Sequence, residues 1–263
     1  MTSDPLATMI SRALGTEVAD VRSERMGARD GVEHERVRFT QDGAERSLMF
    51  ERLAPRNALE AQLVPFLARK TDRVPVVHAR GIPRPVAPAP PWLLVEDLAD
   101  APSACDRDPV AILDAKLAVE RAVANDVPAL RALGVPIRKP DAIADEVAAA
   151  DPSVAEEARE AARRLRKWPT ALVHGDLVCA NAVRTDRGVV LRRWGRAHLG
   201  CALLDVVRLT GDLVRRDDAV RGIGLSRRYA ERMDAVLPTE VLRAAEKLDR
   251  LERSHLARGV SHR

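Results

Sequence analysis

Between Leu172 and Leu209 the chain reads LVHGDLVCANAVRTDRGVVLRRWGRAHLGCALLDVVRL. A carboxylate, Asp176, follows His174-Gly175, and an amide, Asn181, stands five residues further on. This is a catalytic-loop pattern, of the kind that presents a carboxylate to take a proton from a reacting group. A short strand comes next, and Arg193 stands at its end. The functional reading turns on that arginine. Cys179 lies inside the loop. Nothing in the sequence marks a depressed thiol pKa, so a small loop filler is preferred to a nucleophile. His198 reads as a structural or surface histidine rather than a ligand.

The elements that must position these residues are bounded first by composition. A chain of 263 residues buries a large core, as one long domain or two small lobes. No apolar stretch approaches the ~18–20 residues of a membrane span. The N-terminus, MTSDPLATMISRALG, lacks a basic segment followed by a long apolar core, so a secretory signal is not expected. Cys105, Cys179 and Cys201 are widely spaced and form no metal-type cluster, which suits reduced thiols in a cytoplasm. The net charge of +4 rests on arginines scattered among acids, and aromatics are only 3% of the chain. That argues against a nucleic-acid partner and weakly against a polycationic substrate. Oligomeric state is not legible.

The first part of the chain reads as strands with one helix. Val32 to Thr40 and Glu45 to Leu53 flank a turn at Asp42-Gly43 and predict a hairpin. Pro55 to Lys70 carries Leu59, Leu63, Phe66 and Leu67 at helical spacing, with Pro65 expected to kink it or move its boundary. Prolines between Val74 and Pro91 predict loops with short extended pieces, and Trp92 to Leu98 an apolar strand. After a polar break, Pro109 to Leu133 and Ala142 to Lys167 predict helices. Strands return at Ala171–Val173, Ala182–Arg184 and Val189–Trp194, and helices resume from Leu203. The expected fold is α+β and two-lobed. Residues 1–98 form a small β-rich lobe with one main helix, 99–108 a linker, and 109–263 a larger, mainly helical lobe.

HGDLVCAN, the strand after it and Leu203-Leu204-Asp205 together resemble the aminoglycoside phosphotransferase and choline kinase group of protein-kinase-like folds. LLVEDL at 93–98 and SLMFERLAPRNALEAQLVPFL at 47–67 extend the resemblance over most of the chain. It implies in-line transfer of the γ-phosphate of ATP or GTP, held with Mg2+, to a hydroxyl. By resemblance Asp176 is the base, His174 braces the loop, Asn181 helps hold Mg2+, and Asp205 fixes the loop from the following helix. Glu96 belongs to the hinge beside the nucleotide. A bare helix cap or turn role is the competing reading of Asp176.

Two departures set the chain apart. Arg193 replaces the aspartate that holds Mg2+ between the phosphates, and arginine has donors only. Asp186, in the turn before the strand, offers no sure replacement. Glu51 replaces the phosphate-binding lysine. Strand alternation puts Met49, Glu51 and Leu53 on one face, towards the nucleotide cleft, and sends Arg52 to the other. Glu60, the acid expected to pair with that lysine, then meets a like charge. Arg193 bridging Glu51, Glu60 or both would plug the cleft. Drift at two unconstrained positions is the alternative. Gly27 and Gly31 do not complete a GxGxxG loop.

Three functions compete. One is a phosphotransferase acting on a small-molecule hydroxyl, with Asp176 as base and an unusual mode of metal and nucleotide binding. The second is a pseudokinase-like protein with no required cofactor. It would hold a small molecule, a peptide or a protein partner in the interlobe cleft or the helical lobe. The third is a catalyst that uses the Asp176 loop without nucleotide. The two departures favour the second. Too few aromatics are present for a choline-type cage. Asp212, Asp217 and Asp218 read as surface acids rather than an acceptor pocket.

Overall fold

The computed structural model describes residues 5–29, 31–82, 89–106, 108–216 and 224–260. The Asp42-Gly43 turn, with φ of 51° and 76°, joins β2 (Val32–Gln41) to β3 (Ala44–Leu53) as expected. Positive φ at both central residues matches the twist of the paired strands. With β1 (Ala19–Arg29), β4 (Val77–Gly81) and β5 (Trp92–Glu96) they form a five-stranded sheet of order β1-β2-β3-β5-β4. Strand β1, and helix α1 (Pro5–Leu14) before it, were not anticipated. Leu48 and Phe50 of β3 join Ile10, Val37, Phe39 and Leu94 in a core covered by α1. Met49 and Leu53 turn to the opposite side and enter the main core with Leu63, Val64 and Leu67 of α2 (Glu60–Ala68). Glu51 therefore lies on the inner face, and exposed Arg52 pairs with Glu35 at 2.9 Å on the other.

Pro65 stays inside α2. Having no N–H, it leaves the Ala61 carbonyl without a helical partner. Arg80 donates to that carbonyl at 3.4 Å. The helix begins only at Glu60, after a 3-10 turn over Pro55–Asn57.

Beyond the linker, α3 (Pro109–Ala122) starts at Asp108, whose carboxylate accepts from Val110 N at 2.9 Å. The expected helix from Pro109 to Leu133 is two, α3 and α4 (Val127–Ala132). The expected helix from Ala142 to Lys167 is also two, α5 (Pro140–Ala150) and α6 (Ala155–Leu165). Pro152 breaks it, because the residue before a proline avoids the helical region. Asp151 caps the resulting turn. A three-stranded sheet follows, β6 (Ile137–Arg138), β10 (His198–Cys201) and β7 (Thr170–Val173), beside the hairpin of β8 (Ala182–Thr185) and β9 (Gly188–Leu191). Helices α7 (Leu203–Arg215), α8 (Leu225–Arg232) and α9 (Thr239–Val260) complete the lobe. One continuous core runs from β3 and α2 into α3, α5, α6 and α7. Among the described residues no helix is long and apolar enough to cross a membrane.

The cysteine expectation is corrected. Cys105 of the linker and Cys179 of the catalytic loop form a disulfide across 74 residues of sequence. Cys201 is free and buried, and burial pushes its thiol up to about 12.

Candidate active site

Strand β7 delivers the loop, and Asp205 at the start of α7 holds it. The Asp205 carboxylate accepts from His174 N at 2.7 Å and from Gly175 N at 2.9 Å. Gly175 has φ of 81°, and a Cβ there would sit 2.2 Å from the Arg196 carbonyl, so no other residue fits. Asp176 N donates to His174 Nδ1 at 3.2 Å, which leaves Nε2 to donate to the Arg192 carbonyl at 3.0 Å. The ring packs on Trp194 with centroids 4.5 Å apart, and burial keeps the imidazole pKa below its ordinary value. Asn181 Nδ2 donates to the Asp176 carbonyl at 2.8 Å and to its carboxylate at 3.0 Å.

Asp205 is fully buried, which disfavours its charge, yet its pKa is lowered. Lys116, His174 and the two backbone donors outweigh burial. Lys116 Nζ lies 3.5 Å from the Asp205 carboxylate and also pairs with Glu120 one turn along α3. Tyr229 of α8 donates to Glu120. Arg208, one turn beyond Asp205, donates to the Gly175 carbonyl and pairs with Asp249 at 2.7 Å. Neither Lys116 nor Arg208 was legible in this role, because their partners lie far along the chain.

The nucleotide side differs. Glu51 lies opposite His34 on β2, with Glu51 Oε1 3.4 Å from His34 Nδ1. Glu60 accepts from Trp194 N at 2.7 Å. Its carboxyl is pushed up to about 8, by burial first and by Glu51 second, while the Trp194 N–H and the Arg193 charge pull it down. Strand β9 ends at Leu191 rather than Trp194, and Arg193 follows it with φ of 69°. Among the described residues neither Glu51 nor Glu60 forms a direct ion pair with Arg193, so the expected bridge is not made. Its neighbour also spans the cleft. Arg192 donates to the Leu98 carbonyl beyond β5 and to the Ala180 carbonyl of the loop, both at 3.2 Å. The only forewarning was an abrupt Arg192-Arg193 pair after the apolar run Val189-Val190-Leu191. Glu96 is committed as well, accepting from Val76 N at 2.9 Å and pairing with Arg187.

Two cavities meet at Arg29 and Arg193. One, of about 330 Å³, is lined by Met26, Met49, Glu51, Val95, Leu98 and Arg192. The other, of about 350 Å³, opens over Asp176. Asp212 lines the second, contrary to a plain surface role. It accepts from Cys179 N at 2.9 Å and pairs with Arg215 and Arg216. Asp217 and Asp218 lie outside the described residues. His198 is buried, its Nδ1 3.1 Å from the Arg196 carbonyl, and is structural. Asp186 is exposed.

The residues present do not fit a Mg-triphosphate. Asn181 Oδ1 is buried without a hydrogen-bond partner, an oxygen suited to a hard cation. Asp176, which the same amide holds, is a carboxylate beside it, but Arg193 lines the same cavity. A cation would meet Arg193 where a carboxylate is needed.

Solved structures share this fold. An aminoglycoside-3'-phosphotransferase of type VIII superposes with a TM-score of 0.61 at 20% identity, covering 94% of this chain and 100% of its own. A choline/ethanolamine kinase family protein from Mesorhizobium loti gives 0.61 at 16% identity, covering 100% and 89%. A thermostable mutant of aminoglycoside phosphotransferase APH(4)-Ia, in a ternary complex with ADP and hygromycin B, gives 0.55 at 15% identity, covering 98% and 94%. No curated protein sequence matches the chain. The model of the phosphotransferase enzyme family, APH, matches residues 25–240. With the Asp205-held HGD loop and the two-lobed α+β fold, that match makes the chain a member of this family.

Proposed function

We propose that the chain is a pseudokinase-like binding or regulatory protein of this family, which takes a small molecule, a peptide or a protein partner rather than turning over Mg-ATP. The observation that carries the reading is Arg192. Its guanidinium spans the cleft to the Leu98 carbonyl, where Glu51 already stands in place of a phosphate-binding cation. A triphosphate entering there would meet Glu51 without the metal that normally screens it. Glu60 lies next to Glu51 without the lysine that would relieve their repulsion.

A second reading is active phosphotransfer to a small-molecule hydroxyl with Asp176 as base. The Asp176–Asn181–His174 cage favours it, since every contact that orients the base is present. A thermal-shift titration with Mg-ATP and Mg-GTP separates the two. It is run on wild type and on Glu51→Lys combined with Arg193→Asp. Ligand at ~100-fold excess over Kd stabilises the native state by about 2.7 kcal/mol. We expect no shift in wild type and a magnesium-dependent shift in the double variant. A magnesium-dependent shift in wild type refutes the binding-protein reading.

A further inference from the structure

We propose that the cavity over Asp176 binds a small, compact oxyanion of the phosphate or carboxylate class, held mainly by Arg196 and Arg215. This rests on the reading above, in that the cavity serves binding. It departs from the cationic aminoglycosides.

The charge census of the cavity is one-sided. Among the described residues six arginines line it, at 29, 193, 196, 208, 215 and 253, against three acids, Glu60, Asp176 and Asp212; Arg29 and Arg193 have partners of their own and are left out of the balance. The acids around it are shared rather than spare. Asp212 pairs with both Arg215 and Arg216, at 3.1 and 3.4 Å. Asp249 pairs with Arg208 and Arg253, at 2.7 and 2.8 Å. Glu252 pairs with Arg208 and with Arg138. Each of these carboxylates thus serves two guanidiniums, and positive charge is left over. Burial also keeps Glu60 largely protonated near neutral pH, which removes one of the three lining acids from the count.

The donors are also suitably placed. Arg196 is exposed, and among the described residues its guanidinium has no ion-pair partner. Its main chain is pinned against Gly175, so the side chain projects from beside the catalytic loop. Arg215 reaches in from the last turn of α7 and is half exposed. Arginine forks recognise planar carboxylates and phosphates through paired N–H donors. A polycation would instead face the guanidiniums and the few acids already engaged.

The test is a thermal-shift titration of the full chain without magnesium or nucleotide, in low-salt buffer. The probes are inorganic phosphate, pyrophosphate, citrate and, as a polycation, kanamycin. The variants are Arg196→Glu, Arg196→Ala and Arg215→Ala, each checked by circular dichroism for an unchanged fold. We expect saturable stabilisation of wild type by an anion. A charge-assisted hydrogen bond contributes enough that Kd should rise about tenfold or more in Arg196→Glu and several-fold in Arg215→Ala. Stronger response to pyrophosphate or to citrate identifies the phosphate or the carboxylate source. No saturable anion shift, an equal shift in all variants, or stabilisation by kanamycin alone overturns the proposal. Mg-ATP has no part in these arms, so a shift with Mg-ATP would count against the preceding reading and not against this one.

Discussion

The HGD loop and the cleft beside β3 lie on either side of Arg193, and they are built differently. On the loop side donors meet acceptors and charges are paired, Asn181 Oδ1 aside. Asp205 holds two backbone N–H groups, Lys116 neutralises it from α3, and Asn181 closes on Asp176. On the cleft side like charges adjoin opposite ones. Burial and then Glu51 raise Glu60 while Arg193 lowers it, and burial and then Arg193 depress Arg192 while Glu51 raises it. Order around Asp176 therefore does not depend on the groups that line the neighbouring cleft.

This contrast predicts that the loop side is expensive to disturb and the cleft side cheap. Asp205→Ala should have the largest effect. It leaves Lys116 with Glu120 as its one carboxylate partner and two backbone donors unpaired, and breaking a buried charge pair in this way costs about 3–5 kcal/mol. Urea denaturation measures it, and a loss below about 1 kcal/mol would erase the contrast. Opening the Cys105–Cys179 bridge by Cys105→Ser should come next. It frees a loop of 74 residues in the unfolded chain, for about 2–4 kcal/mol. The melting temperature of the variant should match that of wild type under reductant.

Glu60 gives a pH test on the cleft side. Its folded pKa of about 8 exceeds its ordinary 4.5, so the native state binds the extra proton between those values. Its contribution is complete below about pH 4.5 and is lost as pH rises through 8. The slope cannot exceed about 1.4 kcal/mol per pH unit. Glu60→Gln should flatten the fall in stability between about pH 6 and 8, and an identical profile in the variant would remove Glu60 as its source. The smallest effect belongs to Glu51→Gln. Its pair with His34 is partly exposed, and the change should stay within about 1 kcal/mol while lowering repulsion at Glu60.

Local patterns made much of this legible. Asp42-Gly43 announced the hairpin because so few residues accept positive φ. Alternation along β3 put Glu51 on the inner face, and the HGD loop with Asp205 showed where the base would be held. Contacts between distant segments were not legible. Nothing near Lys116 in the chain points to Asp205, and nothing near Cys105 points to Cys179. Arg192 was passed over for Arg193 because the strand was expected to run on to Trp194. Its end at Leu191 changes which arginine reaches the hinge. Pro152 was a readable break in a helix that composition alone made continuous.

Arg193 carries one more consequence, in its main chain. At φ of 69° it occupies the left-handed region, where aspartate and asparagine are several-fold enriched and a long side chain is out of place, at roughly 1–2 kcal/mol. By backbone shape alone the position suits aspartate better than arginine, and Arg193→Asp would ask nothing of the main chain.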